Sequence, residues 1–142
     1  MLFTPAGEVS AVDARMLATR MVELMRASPA CVGVAAPQVG AGVRLFVMDV
    51  TGHKKATSCA GLVVIVNPTV VARSGSEVAR EGCLSVPDLT GDVPRSTQIV
   101  VSGVDPLTEA PLLVEADGFE ARVLQHELDH LDGLLFLDRV RH

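Results

Sequence analysis

Residues 119–133, FEARVLQHELDHLDG, constrain the fold more than any other stretch of the chain. Apolar residues recur there at helical spacing, and Gly133 suits the position just past a helix end. Residues i and i+4 share a helix face. His126 and His130 therefore stand side by side, with Glu127, Val123 and Phe119 on or next to that face. Leu124, Leu128 and Leu131 lie on the other flank. Such a helix has to be wedged. One flank packs into a hydrophobic core, and the other looks into a cleft holding two imidazoles and a carboxylate.

The remaining pattern says what surrounds it. SAVDARMLATRMVELMRAS (10–28) carries Val12, Met16, Leu17, Met21, Leu24 and Met25 at helical spacing. Ser10 is placed as its N-cap, Asp13 sits three residues on in the capping-box position, and Pro29 follows the end. Residues 31–42 are punctuated by Gly and Pro and read as a loop. Residues 43–50 read as a strand, 52–61 as a polar hairpin loop, and 62–71 as a buried strand that breaks at Asn67-Pro68. Residues 73–78 turn the chain. Gly82, Pro87, Gly91 and Pro94 make 79–96 irregular or short-stranded. Residues 97–106 and 110–118 read as two paired strands. The order helix, strands, helix predicts an α+β fold: mostly antiparallel sheets packed around a central C-terminal helix, with an N-terminal helix.

The 142 residues suffice for one domain with a real core. With no Trp, no Tyr and four Phe, that core is built from Val, Leu, Ile, Ala and Met. A net charge of −5 and the lack of any Lys/Arg run argue against a nucleic-acid or anionic-membrane surface. Three sparse cysteines do not make a disulfide framework. No signal core is visible, and no apolar run reaches the roughly 18 residues of a spanning helix. A reducing cytosol is the default compartment.

Two neutral imidazoles leave a divalent ion short of ligands. A third ligand with an open fourth position would lower the pKa of a bound water, and Glu127 could take and return its proton. A bare His-x-x-x-His is more often incidental; HExxH on an amphipathic helix favours the metal. The longer HExxHxxGxxH pattern is missing, since Leu134, Leu135 and Phe136 follow Gly133. The third ligand must come from upstream. Cys83 in EGCLSVP is the candidate, with a buried small hydrophobe as the alternative. Cys31 and Cys59 take that plainer reading.

Three segments, CVGVAAPQ (31–38), EGCLS (81–85) and QHELDH (125–130), resemble the three signature motifs of the peptide deformylases, in the same order. In the first, Cys31 stands where the family usually has glycine and Val34 where it has leucine. The resemblance implies that Cys83, His126 and His130 bind one divalent metal with water as the fourth ligand. The metal would be ferrous iron, Fe(II), in the cell, replaceable by zinc, nickel or cobalt. Glu127 would be the general acid/base. The side-chain amide of Gln38 and the backbone N–H of Leu84 would donate to the developing oxyanion, each such donor being worth roughly 3 kcal/mol. The implied reaction is hydrolysis of the N-formyl group from formyl-methionine on nascent polypeptides, releasing formate.

The implied partners are formylated nascent peptides, met at the ribosome, for a cytoplasmic monomer or weak dimer with no nucleic-acid or membrane contact. Phe119 and Val123 would wall a methionine pocket closed by Val32 and Gly82, ordinary core being the alternative. Backbone near Val32–Gly33 and Ser85–Pro87 would pair with the peptide. Glu81 and Arg95 flank the cysteine loop with opposite charges, an ion pair that would position Cys83. Asp129 either orients a ligand histidine or lies on a solvated face. If the family's glycine needs a positive φ, Cys31 costs about 1 kcal/mol or more. Residues 1–142 are expected to form one catalytic domain, shorter at both ends than family members that carry an extra N-terminal strand and a further C-terminal helix. The alternatives are an HExxH peptidase cutting internal bonds and a catalytically weak accessory homologue.

Overall fold

The layering follows from one short strand. In the computed structural model, which describes residues 5–28, 31–83 and 86–139 except the side chains at 83, 86–89, 136 and 137, β2 (Leu45–Met48) is apolar and buried at every position. Alternate side chains of a strand point to opposite faces. Leu45 and Val47 belong to one apolar cluster, Phe46 and Met48 to another. A strand apolar on both faces needs both faces covered. α1 (Ala11–Ala27) covers the first and α2 (Gly118–Leu131) the second.

β2 belongs to a five-stranded sheet with β1 (Gly33–Ala35), β3 (Val63–Ser74), β6 (Gln98–Val104) and β7 (Pro111–Asp117), in the order β1-β2-β3-β6-β7. Every pairing is antiparallel. β4 (Glu77–Cys83) and β5 (Val86–Arg95) form a separate two-stranded sheet. The expected α+β class is the observed one, with α2 packed on the sheet.

α1 starts as its sequence requires, with Ser10 Oγ accepting the Asp13 N–H at 3.2 Å. Its buried stripe differs from the apolar list: Ala14, Ala18, Met21 and Met25 face the sheet. Val12, Met16 and Leu24 are exposed, Met16 at 73%. Two alanines let the helix backbone approach the Leu45–Val47 layer closely, and packing rather than hydrophobicity selects the stripe.

Three further expectations need correction. β3 does not break at Asn67-Pro68; it bulges there, the register skipping between Val66↔Val104 and Thr69↔Ser102. Pro68 has no N–H to give the ladder. Asn67 takes φ 52°, and its side-chain amide bonds both the N–H and the C=O of Val9, at 3.0 and 2.7 Å. The 31–42 loop contains edge strand β1 and a 3-10 turn, Ala36–Val39. Residues 79–96 are mostly a regular hairpin running from Glu77↔Arg95 to Gly82↔Thr90. A two-stranded ribbon has free edges, so Pro94 need not interrupt it.

α2 stops where Gly133 adopts φ 78°. The Gly133 N–H bonds the His130 carbonyl at 3.2 Å and the Leu134 N–H that of Asp129 at 2.8 Å. At its other end, wholly buried Glu120 accepts from Ser58 Oγ and the Ala60 N–H, both at 2.7 Å. That carboxylate ties the 52–61 loop to the helix start.

Candidate metal centre

α2 brings together what its spacing promised. The His126 and His130 rings lie 4.9 Å apart at 76°. With Glu127 they offer potential ligand atoms all within 4.8 Å of one another. Glu127 and His130 are buried and His126 is partly so. β1 passes directly over Glu127. A methyl carbon at Gly33 would come within 3.1 Å of Glu127 Cδ and Oε1, so the missing side chain makes room for the carboxylate.

The first motif sits on the sheet edge. Gly33 pairs with Met48 in β2, and the Val32 carbonyl accepts the Asp49 N–H at 2.9 Å. The other edge of β1 has no strand beside it among the described residues. Gln38 lies in the 3-10 turn, its Oε1 accepting the Ala35 N–H at 2.8 Å. Holding the amide oxygen fixes the amide orientation and makes its NH2 the donor end. Cys31 does not occupy a left-handed conformation: among described non-glycine residues only Asn67 and Glu109 have positive φ. The anticipated strain is absent, and its thiol donates to the Gly33 carbonyl at 3.4 Å. Cys59 is exposed beside Thr51 Oγ1 at 3.5 Å.

The second motif ends β4. The Cys83 backbone pairs with Val86; the Cys83 side chain, Leu84 and Ser85 lie outside the described residues. Gly82 is exposed. Two residues before the cysteine, Glu81 is 8% exposed and spends both oxygens. Oε1 meets His126 Nδ1 at 3.0 Å and Arg95 Nη2 at 2.9 Å. Oε2 accepts from Arg95 Nε at 2.9 Å and Arg122 Nη1 at 2.7 Å. Burial alone would raise this carboxyl, but the His126 bond and the Arg95 guanidinium hold it at about 2. An ionised carboxylate only accepts. Nδ1 of His126 therefore carries the hydrogen, and Nε2 is the nitrogen that would ligate an ion.

The anticipated Glu81–Arg95 ion pair is thus present, and in the described residues it also meets His126, Arg122 and Asp129. Asp129 does not lie on a solvated face. It is 6% exposed and binds Arg95 Nη1 at 2.5 Å and Arg139 Nε at 2.7 Å. Arg95, at 5% exposure, is held charged by Glu81 and Asp129 against the opposing effect of burial. Sequence reading missed Arg122, whose only local signal is its place one helical turn before His126. Val123 and, at its rim, Val32 and half-buried Phe119 share the α2-side cluster. Phe119 also stacks on His53, centroids 4.1 Å apart at 13°. A polar cavity of about 460 Å³ opens on the far flank of α2, among Gln125, Asp129 and Arg139, away from the imidazoles.

The family model described as polypeptide deformylase matches residues 1–142. The chain belongs to that family. It is 46% identical over 110 residues to a peptide deformylase of Pelotomaculum thermopropionicum, covering 78% of this chain and 65% of that one. With a peptide deformylase of Halothermothrix orenii it shares 42% over 124 residues, 87% of this chain and 75% of that one. The crystal structure of peptide deformylase from Thermotoga maritima superposes with a TM-score of 0.86 at 37% identity, covering 99% of this chain and 91% of that one. The chain spans about two thirds of the length of the first relative. The polypeptide deformylase family is metal-dependent and removes the N-formyl group from nascent peptides. Two imidazoles with ligand atoms close together, one of them aligned by a buried carboxylate, fit a divalent ion. No helix among the described residues is long and apolar enough to cross a membrane.

Proposed function

We propose that this chain hydrolyses the formyl group of N-formyl-methionine on newly made polypeptides, releasing formate, and that residues 1–142 act as one catalytic domain. The observation that carries this is the His126–Glu127–His130 group, with Glu127 and His130 buried and Glu81 bonded to His126 Nδ1. His126, His130 and Cys83 would hold one divalent ion, Fe(II) in the cell, with zinc, nickel or cobalt as substitutes. When bound, that ion supplies Lewis acidity and an activated water.

The protein's own groups do the rest. Glu127 takes the proton of the attacking water and delivers it to the leaving amine. Gln38, its amide oxygen held on Ala35, turns its NH2 to the formyl oxygen, and the Leu84 N–H is the second donor. The free edge of β1 at Val32–Gly33 and the start of β5 receive the peptide backbone in strand fashion. Val32, Gly82, Phe119 and Val123 border the methionine side chain. The substrates are formylated nascent chains at the ribosome, in the cytoplasm, and the enzyme works as a monomer or weak dimer without binding nucleic acid or membrane.

The test uses metal-loaded protein, formyl-Met-Ala-Ser and the same peptide without the formyl group. Formate appears only from the first, and Glu127→Ala slows its release by about 10²–10⁴-fold while keeping the metal. Internal cleavage of the unformylated peptide, or an unchanged rate in Glu127→Ala, would contradict the reading.

A further inference from the structure

The β4–β5 hairpin carries Cys83, yet among the described residues neither apolar cluster includes any of it. Val93 is fully buried, and among the described residues polar contacts link the hairpin to α2. Arg95 braces the hairpin from within through Glu81, both residues belonging to it, and reaches Asp129 of α2 through Nη1. Arg122 is different because it projects from the helix. Its Nη1 donates to Glu81 Oε2 at 2.7 Å and to the Val93 carbonyl at 2.8 Å, and its Nη2 donates to the Glu77 carbonyl at 2.7 Å. These acceptors lie on both strands and end two residues from Cys83. The side chain is 12% exposed.

We propose that Arg122 is a positioning residue for the metal centre: it clasps the β4–β5 hairpin to the His126 face of α2 and so sets the spacing between Cys83 and the two imidazoles. This rests on the reading that Cys83, His126 and His130 hold the ion. His126 and Arg122, one turn apart on α2, grip opposite oxygens of Glu81. Releasing Arg122 leaves Glu81 free to rotate about the grip of Arg95, which moves with the hairpin. It also strips two carbonyls of their donor, so of the described polar links between hairpin and helix only Glu81–His126 and Arg95–Asp129 remain, and the Cys83 end is held less closely. A planar, forked guanidinium reaches three separated acceptors together; the single ammonium of lysine does not.

A merely structural role makes a different prediction. It lowers the melting temperature equally with and without metal. A positioning role reduces the rise in melting temperature that metal itself produces. The experiment titrates metal-free protein with zinc against a competing chelator and measures melting with and without zinc. The proteins are wild type, Arg122→Leu, Arg122→Lys and, as control, Arg80→Leu on the same hairpin, where the side chain is 69% exposed.

Wild type and Arg80→Leu should bind zinc alike. Arg122→Leu should bind about 10–100-fold more weakly with a smaller zinc-induced rise, and Arg122→Lys should fall between. Should Arg122→Leu fail to fold, Arg122→Lys decides. An Arg122 variant that folds and holds zinc as tightly as wild type overturns the clasp alone. A wild type that takes up no zinc overturns the ligand assignment and the clasp with it.

Discussion

Gly33 leaves no room for a single extra methyl. An added Cβ would sit 3.1 Å from Glu127 Cδ and Oε1, so in Gly33→Ala either the carboxylate or the strand edge shifts by a few tenths of an ångström. Both are placed in the chemistry here, and small misplacements are expensive in rate. Formate release should fall about tenfold or more, with melting close to wild type. A full-rate variant would show that Glu127 has slack. A second residue reads out through pH. Asp49 is anchored by the Thr51 N–H at 2.8 Å and by Arg26 at 2.7 Å. Burial alone would raise its carboxyl; the Thr51 bonds and Arg26 bring it below the usual range. A depressed native pKa stabilises the fold above the ordinary carboxylate value, and that contribution fades as pH falls through the lowered one. Arg26 is half exposed, so the ion pair adds little and the hydrogen bonds carry most of the effect. Asp49→Asn should cost about 1 kcal/mol at neutral pH, the gap closing below about pH 4. Urea midpoints of both proteins across that range check it, and a gap that stays constant would contradict the assignment.

At the scale of elements, α1 separates pattern from packing. Met21 is 1% exposed and Met16 is 73% exposed on the same helix. Met21→Ala should cost about 2–5 kcal/mol in denaturant unfolding and Met16→Ala less than about 0.5; equal costs would mean the helix docks by another stripe. Sequence alone made both methionines apolar-face residues, because periodicity allows overlapping stripes and the sheet chooses between them. α2 was legible to within two residues at each end, since amphipathicity, ligand spacing and Gly133 all agree. β4–β5 was not legible, because ladder bonds between backbones outvote the Gly and Pro content of 79–96. Asn67-Pro68 looked like an end because a bulge and a break share the same local signature. Arg122 and Glu120 escaped for one reason: their acceptors and donors lie about 40 and 60 residues away, at Glu81 and at Ser58 and Ala60. A charge on a helix reads as solvated until tertiary structure supplies its partner.

The whole molecule divides into two parts of unequal cohesion. The five-stranded sheet buries apolar side chains on both faces, with Leu45, Phe46, Val47, Met48, Ile65 and Leu124 fully enclosed. Among its described side chains, the β4–β5 hairpin meets that body through Glu81 on His126, Arg122 on three hairpin acceptors and Arg95 on Asp129, with Val93 fully buried as well. Apolar burial is lost only when the core opens, whereas a polar seam admits water that replaces its bonds one for one. Regions with few apolar contacts open below the free energy of global unfolding. The hairpin should therefore behave as a separate opening unit in metal-free protein. Native-state hydrogen exchange should show amides of residues 78–82 and 90–93 exchanging at a lower free energy than those of β2 and the first half of β3. Raising the salt concentration should widen the difference, because screening weakens the charged contacts of the seam and leaves apolar packing untouched. Matching free energies for hairpin and sheet, insensitive to salt, would mean that the hairpin unfolds only with the core and that the charged seam is not what limits it.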